Sequence, residues 1–139
     1  MSAFNGYLFK ATKNNQIFPH EYIQFDSYDS TPKQREEIKA YRDEDSRELH
    51  RITAKGTKSK ITFTTRPNLR LADKERILKF FTDNESNQHE RKINIVYWDD
   101  ENSRYDSGDF YRPDINFAIK RIEGNDLIYK ELKITLIEY

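Results

Sequence analysis

The sequence predicts an α+β, β-rich fold in which one helix packs on a sheet or a sandwich of strands. Three observations predict it: short segments with alternating apolar residues recur, one segment has helical spacing, and aromatic residues reach 14% of the 139 residues. Each large ring buries on the order of 150–250 Å², so these rings supply a core although charged residues make up 35% of the chain. The length predicts a single domain, residues 1–139.

The first element predicted is an opening hairpin. A short apolar segment at 6–10 is followed by a polar turn at 13–15, and apolar residues resume at Ile17 and Phe18. Pro19 lacks the N–H that a central strand needs, so we expect it at an edge or a break.

The segment from about 26 to 60 has a different character. It opens with turn-forming residues at 26–32 and then carries many charges with widely spaced apolar residues. Neither a period of 2 nor a period of 3.6 is sustained. Because a structureless segment of this length in a compact domain is usually functional or disordered, we expect a long arm or loop that is ordered mainly by what it contacts.

A strand and the helix come next. Apolar and β-branched residues alternate at 60–65, which predicts a strand with one buried face. A helix is predicted at about 71–82, because Ile77, Leu78 and Phe81 lie one helical turn apart. Acidic residues lie near its start and a lysine near its end, as the helix dipole prefers.

The C-terminal half predicts further strands separated by turns. The clearest strand is 92–98, and the acidic run at 99–103 is predicted to be a solvated hairpin tip leading to a strand that ends before Pro113. Apolar residues alternate at 115–119, and after the turn at 123–126 they share one parity to the end of the chain. We therefore expect a final hairpin at the C-terminus.

The composition argues against several classes of protein. Basic and acidic residues both number 24, so the formal net charge is zero, whereas a protein that binds a polyanion usually has a basic excess. The chain has no cysteine, which removes disulfides, thiolate metal sites and cysteine nucleophiles. No segment approaches the roughly 20 apolar residues of a membrane span, and the N-terminus lacks a signal-peptide pattern. We expect a soluble protein without a membrane partner.

No metal site or cofactor is predicted. The histidines His20, His50 and His89 have no partner at the spacing of metal ligands. The acidic run that begins at Asp99 lacks the glycine that a calcium loop requires at its sixth position.

The charged run at 41–51 has two interpretations. The first is a metal-dependent nuclease site built from Asp43, Asp45, Glu48 and His50. General acid–base catalysis needs a partly dry cleft, and this run is too polar to form one alone. The second, which we favour, is a charged contact surface, because alternating signs suit docking on a complementary neighbour. No catalytic residue is assigned.

Several short segments, taken in order, resemble one family. The segments are Ser27-Tyr28, Thr31-Pro32-Lys33-Gln34-Arg35, Tyr41-Arg42-Asp43, Leu49-His50-Arg51, Lys60-Ile61-Thr62-Phe63-Thr64-Thr65, Glu90-Arg91-Lys92, Tyr111-Arg112-Pro113-Asp114 and Ile137-Glu138-Tyr139. Together they are similar to the small tail-module structural proteins of siphophages and prophages of Gram-positive bacteria, and the resemblance spans nearly the whole chain. The chain departs from the family at 45–48, where a tight Asn-Gly-type turn is expected.

The resemblance implies a fold like that of tail-tube and distal-tail proteins. Such a fold has two packed antiparallel sheets, sandwich-like or barrel-like, with one flanking helix at about 71–82 and a long arm at about 26–60. The implied function is that of a structural virion protein of a phage tail, in the tube or in a baseplate-proximal ring, without enzymatic activity. We expect synthesis in the bacterial cytoplasm and a final location in the virion tail.

The resemblance also implies the partners. They are further copies of the chain in a ring, usually hexameric in such proteins, and other tail proteins; DNA would at most pass through the lumen of a tube. Contacts are expected at sheet edges and in the arm around Tyr41, Arg42, Asp43, Leu49, His50 and Arg51. The alternative is a monomeric phage or prophage regulatory protein that binds one host target.

Overall fold

The computed structural model describes residues 3–34, 37–42, 49–53 and 58–139, and the side chains of 3–32 and 58–139. Within them, the chain forms an α+β, β-rich fold with one α-helix and antiparallel sheets, as the sequence predicts. The strands are β1 (Phe9–Ala11), β2 (Gln16–Ile17), β3 (Asp29–Gln34), β4 (Glu37–Arg42), β5 (Leu49–Thr53), β6 (Lys58–Thr64), β7 (Leu69–Arg70), β8 (Glu85–Asn87), β9 (Lys92–Asp99), β10 (Arg104–Tyr111), β11 (Ile119–Glu123), β12 (Asp126–Tyr129) and β13 (Lys133–Glu138), and the helix is α1 (Leu71–Asn84).

Two sheets build the body of the protein. The large sheet has eight strands in the order β2-β1-β9-β10-β13-β6-β3, with β8 pairing on β9. The small sheet has three strands in the order β11-β12-β7. The large sheet is open, because in the part of the chain that the structure describes its end strands β2 and β3 each pair with one neighbour.

Most of the elements predicted from periodicity are present. The opening hairpin is β1 and β2, with Lys10 opposite Ile17, and a 3₁₀ helix follows Pro19 directly, so this proline does break the strand. The strands predicted at 60–65 and 92–98 are β6 and β9. The predicted helix begins at Leu71, where the Asp73 carboxylate accepts the backbone N–H of Arg70 at 3.0 Å and so caps the first turn.

The same helix extends two residues beyond the predicted end, to Asn84. Asn84 is buried, and its side-chain amide donates to the carbonyl of Phe80 at 2.7 Å and to the Gln16 side chain at 3.0 Å. These bonds stabilise the end of the helix, where no apolar residue follows Phe81 to indicate that the helix continues. Within the described residues, no helix is long and apolar enough to cross a membrane.

The segment from 26 to 60 holds more regular structure than the sequence predicts. Strand β3 and the start of β6 pair with each other in the large sheet, with Ser30 opposite Ile61. Strands β4 and β5 form a two-stranded sheet of their own. The sequences of β4 and β5 lack the period of 2 that marks a strand with one buried face, so periodicity alone does not predict them. The described part of the arm is therefore an antiparallel pair of strands, called the arm hairpin, formed by Glu37–Arg42 and Leu49–Thr53.

The predicted hairpin with a turn at 123–126 is present as β11 and β12, but it ends at Tyr129 and does not extend to the C-terminus. Strand β12 pairs with β11 and β7 in the small sheet, whereas β13 pairs with β10 and β6 in the large one. Ile128 and Ile134 share a parity although they lie in different sheets, because the chain crosses between the sheets at 130–132. Of the residues at 115–119, where apolar residues alternate, 115–118 have no regular structure, and β11 begins at Ile119.

The core lies between the large sheet and the layer formed by α1 and the small sheet. Phe18 is fully buried at its centre. Its ring lies 5.1 Å from Phe9 of β1, 5.5 Å from Phe63 of β6 and 5.1 Å from Phe80 of α1, measured between centroids. These separations and tilts are those of favourable aromatic pairs. A cluster of rings therefore joins the helix to the large sheet.

A neutral histidine holds the N-terminal segment on the body. The Nε2 atom of His20 accepts the backbone N–H of Leu8 at 2.9 Å, and the His20 ring stacks on Phe25. An imidazole nitrogen accepts this bond only when it carries no proton. Burial lowers the pKa of His20 from its ordinary value of 6.5, in agreement with this geometry.

The fold should lose stability on mild acidification because of this histidine. Since the pKa of His20 is lower in the folded chain, its contribution is fully present above pH of about 6.5 and is lost as the pH falls through the folded pKa. Losing the bond to Leu8 costs on the order of 1 kcal/mol. We expect His20→Gln to flatten the fall in unfolding free energy between about pH 7 and 5, measured by urea titration, whereas His89→Gln, at an exposed site, leaves it unchanged.

Candidate assembly surfaces

The arm hairpin carries the contact residues predicted from the sequence. Tyr41 and Arg42 lie on β4, and Leu49, His50 and Arg51 lie on β5. Tyr41 is opposite His50 and Arg42 is opposite Leu49, so the pairing brings the two halves of the predicted set together. Asp43 lies outside the described residues, as do Asp45 and Glu48 of the nuclease interpretation.

The hairpin is inserted in the chain between β3 and β6. The last described residues before and after it that pair in the large sheet are Gln34 and Lys58, which lie opposite each other. Among the described residues, β4 and β5 pair only with each other, so the hairpin adds nothing to the ladder of the large sheet. A two-stranded ribbon with both edges unpaired is marginal in water and suits pairing with another chain.

Two polar bonds join the base of the arm, at Ser59 of β6, to β13 and to β9. The backbone N–H of Ser59 donates to Oε1 of Glu138 at 2.8 Å, and the Ser59 hydroxyl lies 2.9 Å from the Tyr97 hydroxyl. Gly108 lies beneath the Glu138 carboxylate, and a Cβ at this position would overlap it. These contacts orient the first residues of β6, where the chain returns to the large sheet after the arm.

The acidic run at 99–103 is a hairpin tip, as predicted, but its first residue is not solvated. Asp99 is fully buried. Its carboxylate accepts the backbone N–H of Glu101 at 3.0 Å and of Asn102 at 3.3 Å, and also the Asn102 side-chain amide at 2.8 Å. These bonds stabilise the turn and give the buried carboxylate of Asp99 its hydrogen-bond partners.

Charges beside the end of α1 serve packing. The Arg112 guanidinium lies 5.3 Å from the Phe81 ring centroid, close to the buried Glu85. Burial raises the pKa of Glu85, and burial together with the neighbouring Arg91 lowers the pKa of Arg112. This packing places Arg112, the residue that follows β10, against the C-terminal end of the helix. Among the side chains that the structure describes, no three His, Asp or Glu residues are arranged to hold a metal ion.

The outer face of the large sheet carries a second ring cluster. Trp98 and Tyr105 lie opposite each other on β9 and β10, and Phe4 contacts both, with centroids 5.3 and 6.3 Å away. The Tyr105 hydroxyl donates to the carbonyl of Tyr7 at 2.8 Å. These contacts fix the N-terminal segment across the face opposite the core.

The edges of both sheets are the other candidate surfaces. The end strands β2, β3, β11 and β7 each pair on one side within the described part of the chain. Strands β2 and β7 have two residues each, and β3 contains Pro32, which limits pairing. Strand β11 is longer than β2 and β7, has no proline and is exposed throughout. Sequence reasoning placed a strand near Ile119 but did not identify it as a surface.

A family model described as "Family of unknown function (DUF6711)" matches residues 1–139. The fold is similar to that of a solved chain from the tail of an empty GTA particle, determined by helical refinement with C6 symmetry. The two chains are 14% identical, the match covers 99% of this chain and 95% of the other, and the TM-score is 0.55. No curated protein matches the sequence.

Proposed function

The chain belongs to the DUF6711 family, and we propose that it is a structural subunit of a phage-like tail, which acts by assembly with other protein subunits and not by catalysis. The observation that carries the proposal is a similarity over nearly the full length of both chains to a tail component, at a TM-score of 0.55. Because the match covers both sheets, the helix and the arm, the whole chain is proposed to act as one tail-tube-like domain.

The proposed assembly is a homo-oligomeric ring around the tail axis, in the tube or in a baseplate-proximal or distal-tail position. The similar chain comes from a tail with C6 symmetry, which supports a ring of six copies here. Cyclic symmetry also supplies a neighbour for each open sheet edge, and unpaired edges favour association. Any DNA would pass through the lumen without specific binding, in keeping with a net charge of zero.

The arm hairpin is proposed to contact the next subunit or the next ring. Support comes from its pairing, since β4 and β5 form a two-stranded sheet of their own. Mixed charges at an interface select the register of a neighbour. The residues proposed to make the contact are Tyr41, Arg42, Asp43, Leu49, His50 and Arg51.

Deletion of the gene in a strain that produces the particles tests this function. We expect particles without complete tails, because a tail that lacks one ring type cannot extend past it, and we expect a plasmid copy to restore the tails. Negative-stain electron microscopy and mass spectrometry of purified particles measure both results. Normal tails in the deletion strain would contradict the proposal.

A further inference from the structure

The outer strand of the small sheet exposes large apolar side chains. Every residue of β11 is exposed, and Ile122 is 71% and Ile119 52% exposed. Phe117, just before the strand, is 42% exposed and lies 6.5 Å from the Tyr129 ring centroid. Phe117, Ile119 and Ile122 are called the apolar strip below. Adjacent exposed apolar residues of this size mark an interaction site more often than isolated ones do.

A β-bulge places both isoleucines on the face that carries the core. Ile119 is opposite Tyr129 and Ile122 is opposite Leu127, and the register shifts at Lys120. Residues opposite each other share a face, and so do residues two apart on β12. Tyr129 belongs to the core and Leu127 packs against it. The apolar strip therefore continues the core face of the small sheet beyond the body of the protein.

The opposite face of the small sheet carries the buried Ile128 and, around it, charged residues that pair with one another. Arg70 lies 3.1 Å from Asp126 and 3.5 Å from Glu123, and Arg121 lies 2.7 Å from Glu123. These exposed pairs contribute little stability, but they keep the Glu123 carboxylate on this face. The charges beside the apolar strip are then basic, with Lys120 in the bulge and Lys74 at 5.7 Å from the Tyr129 ring centroid.

A complementary surface lies on another part of the molecule. Phe25, in the 3₁₀ helix Phe25–Ser27, is 60% exposed. Asp26 and Asp29 beside it are exposed, and the stretch from 20 to 32 contains no lysine or arginine. Phe25, Asp26 and Asp29 are called the acidic patch. The acidic patch combines an exposed apolar side chain with negative charges. The apolar strip combines exposed apolar side chains with nearby positive charges.

We propose that the apolar strip of one copy docks on the acidic patch of a second copy. The inference rests on the proposed function, in which the chain assembles with its own kind. Two-fold pairing of β11 with itself is disfavoured, because the register that pairs all five residues puts Arg121 opposite Arg121. Contacts between two different surfaces are head-to-tail, and repeating them closes a ring or extends a filament.

Two single variants and their mixture test the inference. Ile122→Asp disables the apolar strip, and Phe25→Asp disables the acidic patch. We expect each single variant to raise the Kd of self-association about tenfold or more. Each should therefore remain monomeric at protein concentrations at which wild type associates. An equimolar mixture should form a dimer and nothing larger, because each variant keeps the surface that the other lacks. Analytical ultracentrifugation measures all three states.

Conservative variants serve as controls. Ile122→Leu and Phe25→Tyr keep the apolar contacts and should associate like wild type. Both sites are exposed, so the unfolding temperature of each Asp variant should stay within a few degrees of wild type. A second pair, Lys120→Asp and Asp26→Lys, should weaken association singly and restore it when mixed, because each reverses one sign of the same contact.

Three results would overturn the inference: wild type that stays monomeric, an Asp variant that associates like wild type, or a mixture without a dimer. None of these removes the proposed function if the chain is still found in tails. Conversely, head-to-tail association by a chain that particles never contain would leave this inference standing and contradict the proposed function.

Discussion

Replacing Phe18 with alanine should lower the free energy of unfolding by about 3–5 kcal/mol. The ring is fully buried, and it contacts rings from β1, β6 and α1 within 5.1–5.5 Å between centroids. Alanine would leave a cavity between the helix and the large sheet, where neither layer can close without moving the other. Urea unfolding monitored by circular dichroism measures the change.

Phe25→Ala is the matched control for this prediction. The same atoms are removed from a side chain that is 60% exposed, so the cost should stay below about 1 kcal/mol when the chain is monomeric. Equal losses for the two variants would show that the central ring cluster does not hold the helix on the sheet.

Removing the arm hairpin should abolish incorporation into tails and leave the body folded. Residues 35–57 would be replaced by a short Gly-Ser turn, which fits because Gln34 and Lys58 already lie opposite each other. Since β4 and β5 pair only with each other in the described residues, the change breaks no ladder of the large sheet. We expect an unfolding temperature close to that of wild type and no incorporation into tails.

A change at another exposed hairpin tip controls for this deletion. Asp100→Asn combined with Glu101→Gln removes two charges from the tip between β9 and β10, where both residues are exposed. This variant should enter tails like wild type. Normal incorporation of the chain without the arm would refute the assigned role of the arm.

The sequence predicts those strands whose buried face is built from large apolar residues. In β9, Ile93, Ile95 and Tyr97 alternate with less buried residues, so the period of 2 is plain and the strand was predicted within one residue. The helix was predicted for the same reason, since its buried residues follow one face. Because large apolar side chains mark the buried positions, the period of each element is recognisable although the chain carries many charged residues.

Elements without a plain apolar period could not be predicted in this way. The sequences of β4 and β5 show no sustained apolar period, so periodicity did not predict that they pair. The bulge at Lys120 shifts Ile122 out of alternation with Ile119, which disguises a strand with one apolar face. The assignment of β12 and β13 to different sheets depends on tertiary packing and has no local signal.

Electron cryo-microscopy of tails purified from producing cells tests the central claim, assembly into a phage-like tail, most directly. The expected result is density for this two-sheet fold, repeated around the tail axis, with the arm hairpin between neighbouring copies. Tails without such density, together with a purified chain found only as a monomer bound to a host protein, would contradict it and favour the regulatory alternative.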